Sequence, residues 1–163
     1  MIIRSSAFSI TFSLIVIGLI ASVFFKRILW GILAVIPLTS AVILNFGLMG
    51  HFGVTLNHIT AILSSIIIGV GVDFAIHYIF QFRRLSRKVN PDQLSREVID
   101  DVGYPIILDA CSNMGFGALM FSVFLPIQYI GGLMVFAMVS TSLGTLTILS
   151  ALTELLKKRL IEG

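Results

Sequence analysis

This chain of 163 residues has a single cysteine and few charged side chains. Cys111 alone can form neither an intrachain disulfide nor a cysteine-based metal site. Charged residues make up 12% of the sequence, where soluble domains carry roughly 25%. Hydrophobic residues reach 57% and the mean hydropathy is +1.05. These values exclude an ordinary soluble domain and predict an all-α integral membrane protein.

The 11 basic residues do not form the continuous stripe that nucleic-acid binding requires, although the net charge is +3. They lie in short clusters between apolar runs, a pattern typical of membrane topology signals. All except Arg4 fall on one predicted side: Lys26, Arg27, Arg83, Arg84, Arg87, Lys88, Arg96, Lys157, Lys158 and Arg159. Because basic loops stay in the cytoplasm, we expect a multi-pass protein of the inner (cytoplasmic) membrane, with its N-terminus outside and its C-terminus inside.

Five apolar segments are long enough to cross a bilayer, which needs about 20 residues. They lie at about 6–25, 30–49, 59–82, 105–124 and 128–156. A charged stretch separates the third from the fourth. There Asn90 is a candidate N-cap, Pro91 suits a first helical position, and Gly103 with Pro105 resembles a helix end. This stretch predicts a short cytoplasmic surface helix over about 91–102.

The third span contains the run GVGVDFAIHYIF, residues 69–80, with one acidic residue near its middle. An ionised carboxylate at the centre of a bilayer costs about 2.5–3.5 kcal/mol, so Asp73 needs a partner or a proton. The functional interpretation is a proton or ion site, and the structural one is a protonated, hydrogen-bonded packing residue. His77 lies one helical turn later, where it could relay a proton or reach toward the interface.

Small residues surround this carboxylate and recur in the next span. Ser65, Gly69 and Gly71 allow another helix to approach closely, and Gly115 in the fourth span is expected to do the same. All four are therefore predicted to be helix-packing positions.

The fourth span brings its own polar residues, Asp109, Ser112 and Asn113. If the third and fourth spans are antiparallel neighbours, His77 lies at the depth of Asp109, and Asp73 at the depth of Asn113. This register predicts a layered proton path formed by these five side chains. The alternative is that serine and asparagine serve only as interhelical hydrogen-bonding groups.

The run GVGVDFAIHYIFQFRR resembles the fourth-helix motif of the resistance-nodulation-division (RND) superfamily, in its MMPL, Patched and sterol-sensing-domain branch. The segment VGYPIILDACSNMGFGALMFSVFLPIQYIGGLMVFAM is similar to the fifth and sixth helices of that family. The likeness implies helices two to six of one transmembrane half, without the first helix and the extracytoplasmic domain.

What the resemblance implies for function is export of lipids or other hydrophobic molecules, driven by the proton motive force, with Asp73 as the relay carboxylate. It also implies a second RND half, or a further copy of the chain, as a partner. Two positions depart from the family pattern. Phe74 stands where some members have a tyrosine whose hydroxyl joins the relay, and Asp109 stands where Thr, Ser or Asn is expected.

Two other functions remain open: a sterol-sensing-like regulatory or scaffold module, and a SecD- or SecF-like protein-export subunit. No enzymatic activity is expected. An intramembrane aspartyl protease needs Gly-x-Gly-Asp, and here Val72 separates Gly71 from Asp73. No cofactor and no metal site are predicted. The expected partners are the lipid bilayer and a hydrophobic or lipid substrate, and nucleic acid is not among them.

Overall fold

The computed structural model describes residues 2–54 and 58–161. All regular structure in those ranges is helical, which confirms the predicted fold class. The elements are α1 (Ile2–Phe24), α2 (Ile28–His51), α3 (His58–Leu85), α4 (Leu94–Asn113), a 3-10 helix (Met114–Phe121), α5 (Leu125–Gly144), a π-helical segment (Thr145–Leu149), α6 (Ser150–Leu155) and α7 (Lys157–Ile161).

Four helical stretches in the described ranges are long and apolar enough to cross a membrane: Ala7–Phe24, Ile28–His51, Ser64–Leu85 and Leu125–Leu155. They correspond to four of the five predicted spans. The fourth predicted span, 105–124, is instead divided between the end of α4 and the 3-10 helix. The chain is thus a multi-pass, all-α membrane bundle.

The predicted surface helix over 91–102 is not a separate element, and this expectation was wrong. The backbone N–H of Gln93 donates to the carbonyl of Asn90 (3.0 Å), so the residues after Asn90 form a turn and α4 begins at Leu94. The helix then runs through Gly103 and Pro105 without ending. Its buried residues explain why, since they recur every four positions across the expected break: Leu94, Val98, Val102, Ile106 and Ala110. This continuous stripe packs against the bundle, and Pro105 removes only one backbone donor.

Both α1 and α2 end in a left-handed residue. At the end of α1, Lys26 has a φ of 57°, Arg27 N–H donates to the Ser22 carbonyl (3.0 Å), and Lys26 N–H donates to the Val23 carbonyl (3.1 Å). This is the Schellman pattern, with lysine where glycine is usual. Gly53, with a φ of 64°, occupies the equivalent position after α2.

The basic end of the bundle is built on packed aromatic rings. Trp30, the single tryptophan, is 2% exposed and lies with its ring centroid 5.7 Å from Phe82 and 6.4 Å from Phe25. The guanidinium of Arg83 lies over the Phe25 ring, 5.5 Å from its centroid. Arg27 reaches the carbonyl of Leu160 in α7 (3.4 Å). The α1–α2 turn, the end of α3 and α7 therefore meet at one end, as the clustering of basic residues predicts.

Elsewhere the helices pack through small residues, because lipid provides no hydrophobic force that drives helices together. A Cβ on Gly31 would overlap the Ser22 side chain and the Gly18 carbonyl, so α1 and α2 touch backbone to backbone. The Asn45 side-chain amide donates to the Leu133 carbonyl (3.1 Å), which joins α2 to α5.

Candidate functional site

Asp73 lies near the middle of the membrane-spanning part of α3, on the side that points away from the bundle. Its side chain is exposed, while the neighbouring Phe74 and Ala75 are buried. Ser65, Gly69 and His77 are exposed on the same side, each four residues from the next. Residues at this spacing form one line along a helix. We call this line, Ser65, Gly69, Asp73 and His77, the open face of α3.

The two ionisable groups of the open face are unpaired within the described part of the chain. There, the side chains of Asp73 and His77 make no hydrogen bond or ion pair. Nothing in this part of the chain therefore offsets the cost of a carboxylate at mid-span.

A cavity of about 600 Å³ with both polar and apolar lining residues opens between α3 and α4, one turn nearer the basic end. We call it the α3–α4 cavity. His77 and Asp109 both line it, together with Gln81, Arg84 and Asp101. Gln81 Nε2 donates to Asp101 Oδ2 (2.6 Å), which links the two helices directly. The structure thus brings His77 and Asp109 to the same cavity without a direct bond between them.

The deeper layer of the predicted path does not form as expected. Asp73, Ser112 and Asn113 do not line the α3–α4 cavity. Asn113 Nδ2 instead donates within α4, to the Asp109 carbonyl (3.0 Å) and to Asp109 Oδ1 (3.2 Å). Ser112 is exposed. The physical reason is the rotation of α4: the buried stripe through Ile106 and Ala110 faces the bundle and turns its polar residues toward the outside.

The four predicted packing positions divide into two groups. Gly71 is buried where α2, α3 and α5 meet, and a Cβ there would lie 2.9 Å from Thr141 Cγ2 and 3.1 Å from Leu38 Cδ2. Around Gly69 and Gly115 a Cβ would meet no atom of the described chain within 4 Å. Ser65 is exposed. Close packing at these three positions would need a neighbour from outside the described part of the chain.

Two features escaped sequence reasoning. The Tyr78 hydroxyl forms a buried hydrogen bond with Thr153 Oγ1 (3.1 Å), which ties α3 to α6. Tyrosine within an apolar run was the available signal, since a buried tyrosine hydroxyl usually finds a partner. The second feature is an apolar groove of about 470 Å³ between α1 and α2, with Gly18 and Gly31 among the residues that line it. We call it the α1–α2 groove, and no sequence motif marks it.

Comparison with known proteins places this architecture in a family. The family described as "Sterol-sensing domain of SREBP cleavage-activation" matches residues 23–157, which include α2 through α6 and the open face. "Putative membrane protein MJ1562" of Methanocaldococcus jannaschii is 30% identical over 119 residues, covering 72% of this chain. The match covers 31% of that relative, so the chain spans less than a third of its length. With its α3 motif and multi-pass helical bundle, the chain belongs to the sterol-sensing domain family, in the RND-related branch that its sequence resembles.

Proposed function

We propose that this chain is the membrane portion of a proton-motive-force-driven exporter of lipids or other hydrophobic molecules, in which Asp73 takes up and releases the transported proton. The observation that carries the proposal is the position of Asp73. Its carboxyl group lies at mid-span on the open face, without a partner in the described part of the chain. Ionisable groups inside membrane spans mark proton and ion pathways in transporters.

The energetics require that something cover the open face. A carboxylate left against hydrocarbon costs about 2.5–3.5 kcal/mol, and the unpaired His77 adds a second polar group to the same line. Gly69 and Ser65 also leave room for a close helix contact. We infer that a second transmembrane half, from another polypeptide or another copy of this chain, packs there and completes the site.

The α3–α4 cavity provides the route by which protons reach the relay. His77 lies between Asp73 and the basic end, and it shares the cavity with Asp109. We place the protein in the inner membrane with its basic end in the cytoplasm. In this orientation the route opens to the cytoplasmic side. Each proton that crosses 100 mV supplies about 2.3 kcal/mol, so a few protons suffice for modest uphill export.

Proton flux into vesicles tests the relay. The full chain is reconstituted, a pH gradient is imposed, and a lumenal dye reports its decay. We expect Asp73→Asn to abolish the protein-dependent decay, because asparagine cannot carry the proton. Asp92→Asn is the matched control, since it removes an exposed carboxylate from the turn before α4. Full flux in Asp73→Asn would overturn the relay. No more flux from the wild type than from empty vesicles would overturn a relay that this chain forms by itself or with another copy.

Cysteine cross-linking tests whether the second half is another copy. Cys111→Ser removes the native thiol, and Gly69→Cys places a new one on the open face. We expect oxidation in native membranes to link Gly69→Cys chains into dimers. Leu19→Cys, on the exposed side of α1, serves as the control and should remain monomeric. Equal cross-linking at both positions would show random collision, and none at Gly69→Cys would assign the face to a different polypeptide.

A sterol-sensing regulatory module is the second candidate, favoured by the family match and by the α1–α2 groove. In this function the groove holds a sterol or similar apolar ligand and no proton moves. A photoreactive sterol should then label the groove at a rate independent of pH. Leu19→Trp, which fills the groove, should block labelling, whereas Asp73→Asn should leave it unchanged. Loss of proton-driven transport in Asp73→Asn would favour the exporter.

A further inference from the structure

The basic end of α3 contains a second pocket, of about 330 Å³, which shares only Phe80 and Arg84 with the α3–α4 cavity. Four cationic side chains and one aromatic ring line it: Arg83, Arg84, Arg87, Lys88 and Phe80. Clustering of four cations around one concavity raises the local positive potential well above that of isolated surface charges. We call it the basic pocket.

No carboxylate neutralises these cations. In the described part of the chain the one ion pair joins Lys157 to Glu154, away from this pocket. Asp101 lines the neighbouring α3–α4 cavity beside Arg84, but its Oδ2 accepts a hydrogen bond from Gln81 and forms no ion pair with the arginine. Arg83 is held over the Phe25 ring, so the pocket has one cation fixed in place. The remaining three are available to an anion.

The location of the pocket identifies the anion. The membrane-spanning stretch of α3 ends at Leu85, so these cations lie where the hydrocarbon ends and lipid headgroups begin. Phe80 lies about one turn deeper in the span and is 55% exposed, so it offers an apolar surface next to the charges. A ligand whose phosphate lies at the level of the cations and whose acyl chain lies deeper, against Phe80, matches both the charged and the apolar surface.

We propose that the basic pocket binds the phosphate headgroup of an anionic phospholipid. Arg84, Arg87 and Lys88 contact the phosphate oxygens, and the glycerol and first acyl carbons lie against Phe80. Basic pockets at the ends of membrane helices recognise anionic headgroups in this way. The inference does not depend on Asp73, which lies more than two helical turns from the four cations along α3.

Lipid titration of the purified full chain, followed by native mass spectrometry, tests the proposal. The probe is phosphatidylglycerol, with phosphatidylcholine as the zwitterionic comparison. The test variant carries Arg84→Gln, Arg87→Gln and Lys88→Gln, and it keeps Arg83 because of the contact with Phe25. Each cation near an anionic surface contributes about fivefold to binding, so the variant should bind phosphatidylglycerol about 100-fold more weakly.

A control variant removes three exposed cations of the same end, Lys26→Gln, Arg96→Gln and Arg159→Gln, so that both proteins have the same net charge. It should keep most of the affinity for phosphatidylglycerol. Equal losses in the two variants would show general surface attraction and overturn the site. Equal wild-type binding of the two lipids would also overturn it. Displacement of phosphatidylglycerol by equimolar inorganic phosphate would assign the pocket to free phosphate. If the triple variant loses its helical circular dichroism spectrum, Arg87→Gln alone should still weaken binding about fivefold.

Discussion

Gly71 and Gly69 form a matched pair that tests how α3 is rotated. Both are replaced by alanine, and both gain the same helix propensity, about 1 kcal/mol. The difference between the two variants therefore reports packing alone. Gly71 faces the junction of α2 and α5, whereas Gly69 lies on the open face beside Asp73.

The magnitude follows from the contacts of the new methyl group. At Gly71 it would lie 2.9 Å from Thr141 Cγ2 and 3.1 Å from Leu38 Cδ2, well inside the optimum for carbon atoms, about 3.5–4.0 Å. Thr141 cannot rotate away freely, because its Oγ1 donates to the Ala137 carbonyl (2.6 Å). Overpacking of this kind costs about 1–3 kcal/mol. Gly71→Ala should thus be less stable than Gly69→Ala by about 1–3 kcal/mol.

The assay is unfolding in mixed micelles with increasing dodecyl sulfate, followed by the fluorescence of buried Trp30. Thr141→Ser removes the clashing Cγ2 and keeps the hydroxyl, so it should restore part of the stability lost in Gly71→Ala. Two equally stable alanine variants would refute the reasoning. In that case α3 would not present Gly71 to the bundle, and the outward position of Asp73 would fall with it.

Further substitutions probe single local features with the same unfolding assay. Lys26→Gly should raise the free energy of unfolding by roughly 1 kcal/mol, because glycine adopts the left-handed backbone conformation without the strain of a lysine. Gly53→Ala should lower the free energy of unfolding by a similar amount, so shifts of the same sign in the two variants would contradict this reasoning. Tyr78→Phe should lower stability by about 0.6–1.7 kcal/mol, and a double-mutant cycle with Thr153→Val that shows no coupling would contradict the hydrogen bond between them. The buried Thr145 hydroxyl has no hydrogen-bond partner in the described chain, so Thr145→Val should leave stability unchanged or raise it, and a clear loss would reveal a partner.

Hydropathy and basic clusters predicted the fold class, four of the membrane-spanning helices and the single basic end. Both signals are averaged over whole segments, so a misread helix boundary does not change the prediction. The boundary near Gly103 and Pro105 was wrong because helix-ending residues are local signals. The buried stripe from Leu94 to Ala110 outweighs them through tertiary contacts that no local rule contains.

The candidate site was only partly predictable for a related reason. Depth along antiparallel helices can be read from residue numbers, and it places His77 and Asp109 at one cavity. Rotation about the helix axis cannot be read in this way when both sides of a helix are apolar or small. The buried side of α3 includes Gly71 and the open face includes Gly69, so glycine marks both sides equally.

The polar side chains of α3 lie in two opposite environments. Some are hydrogen-bonded inside the bundle, and others face outward and need a partner. Tyr78 faces inward and satisfies its hydroxyl on Thr153, so this polar group is a fixed part of the bundle. Asp73 and His77 face outward, and no described residue satisfies them. Whatever covers the open face therefore sets their chemistry. A partner that donates fixed hydrogen bonds to Asp73 would make it structural, whereas one that leaves a water-filled gap beside it would make it a relay. In the proposed exporter, the second half that covers the open face would thus decide whether proton movement is coupled to transport.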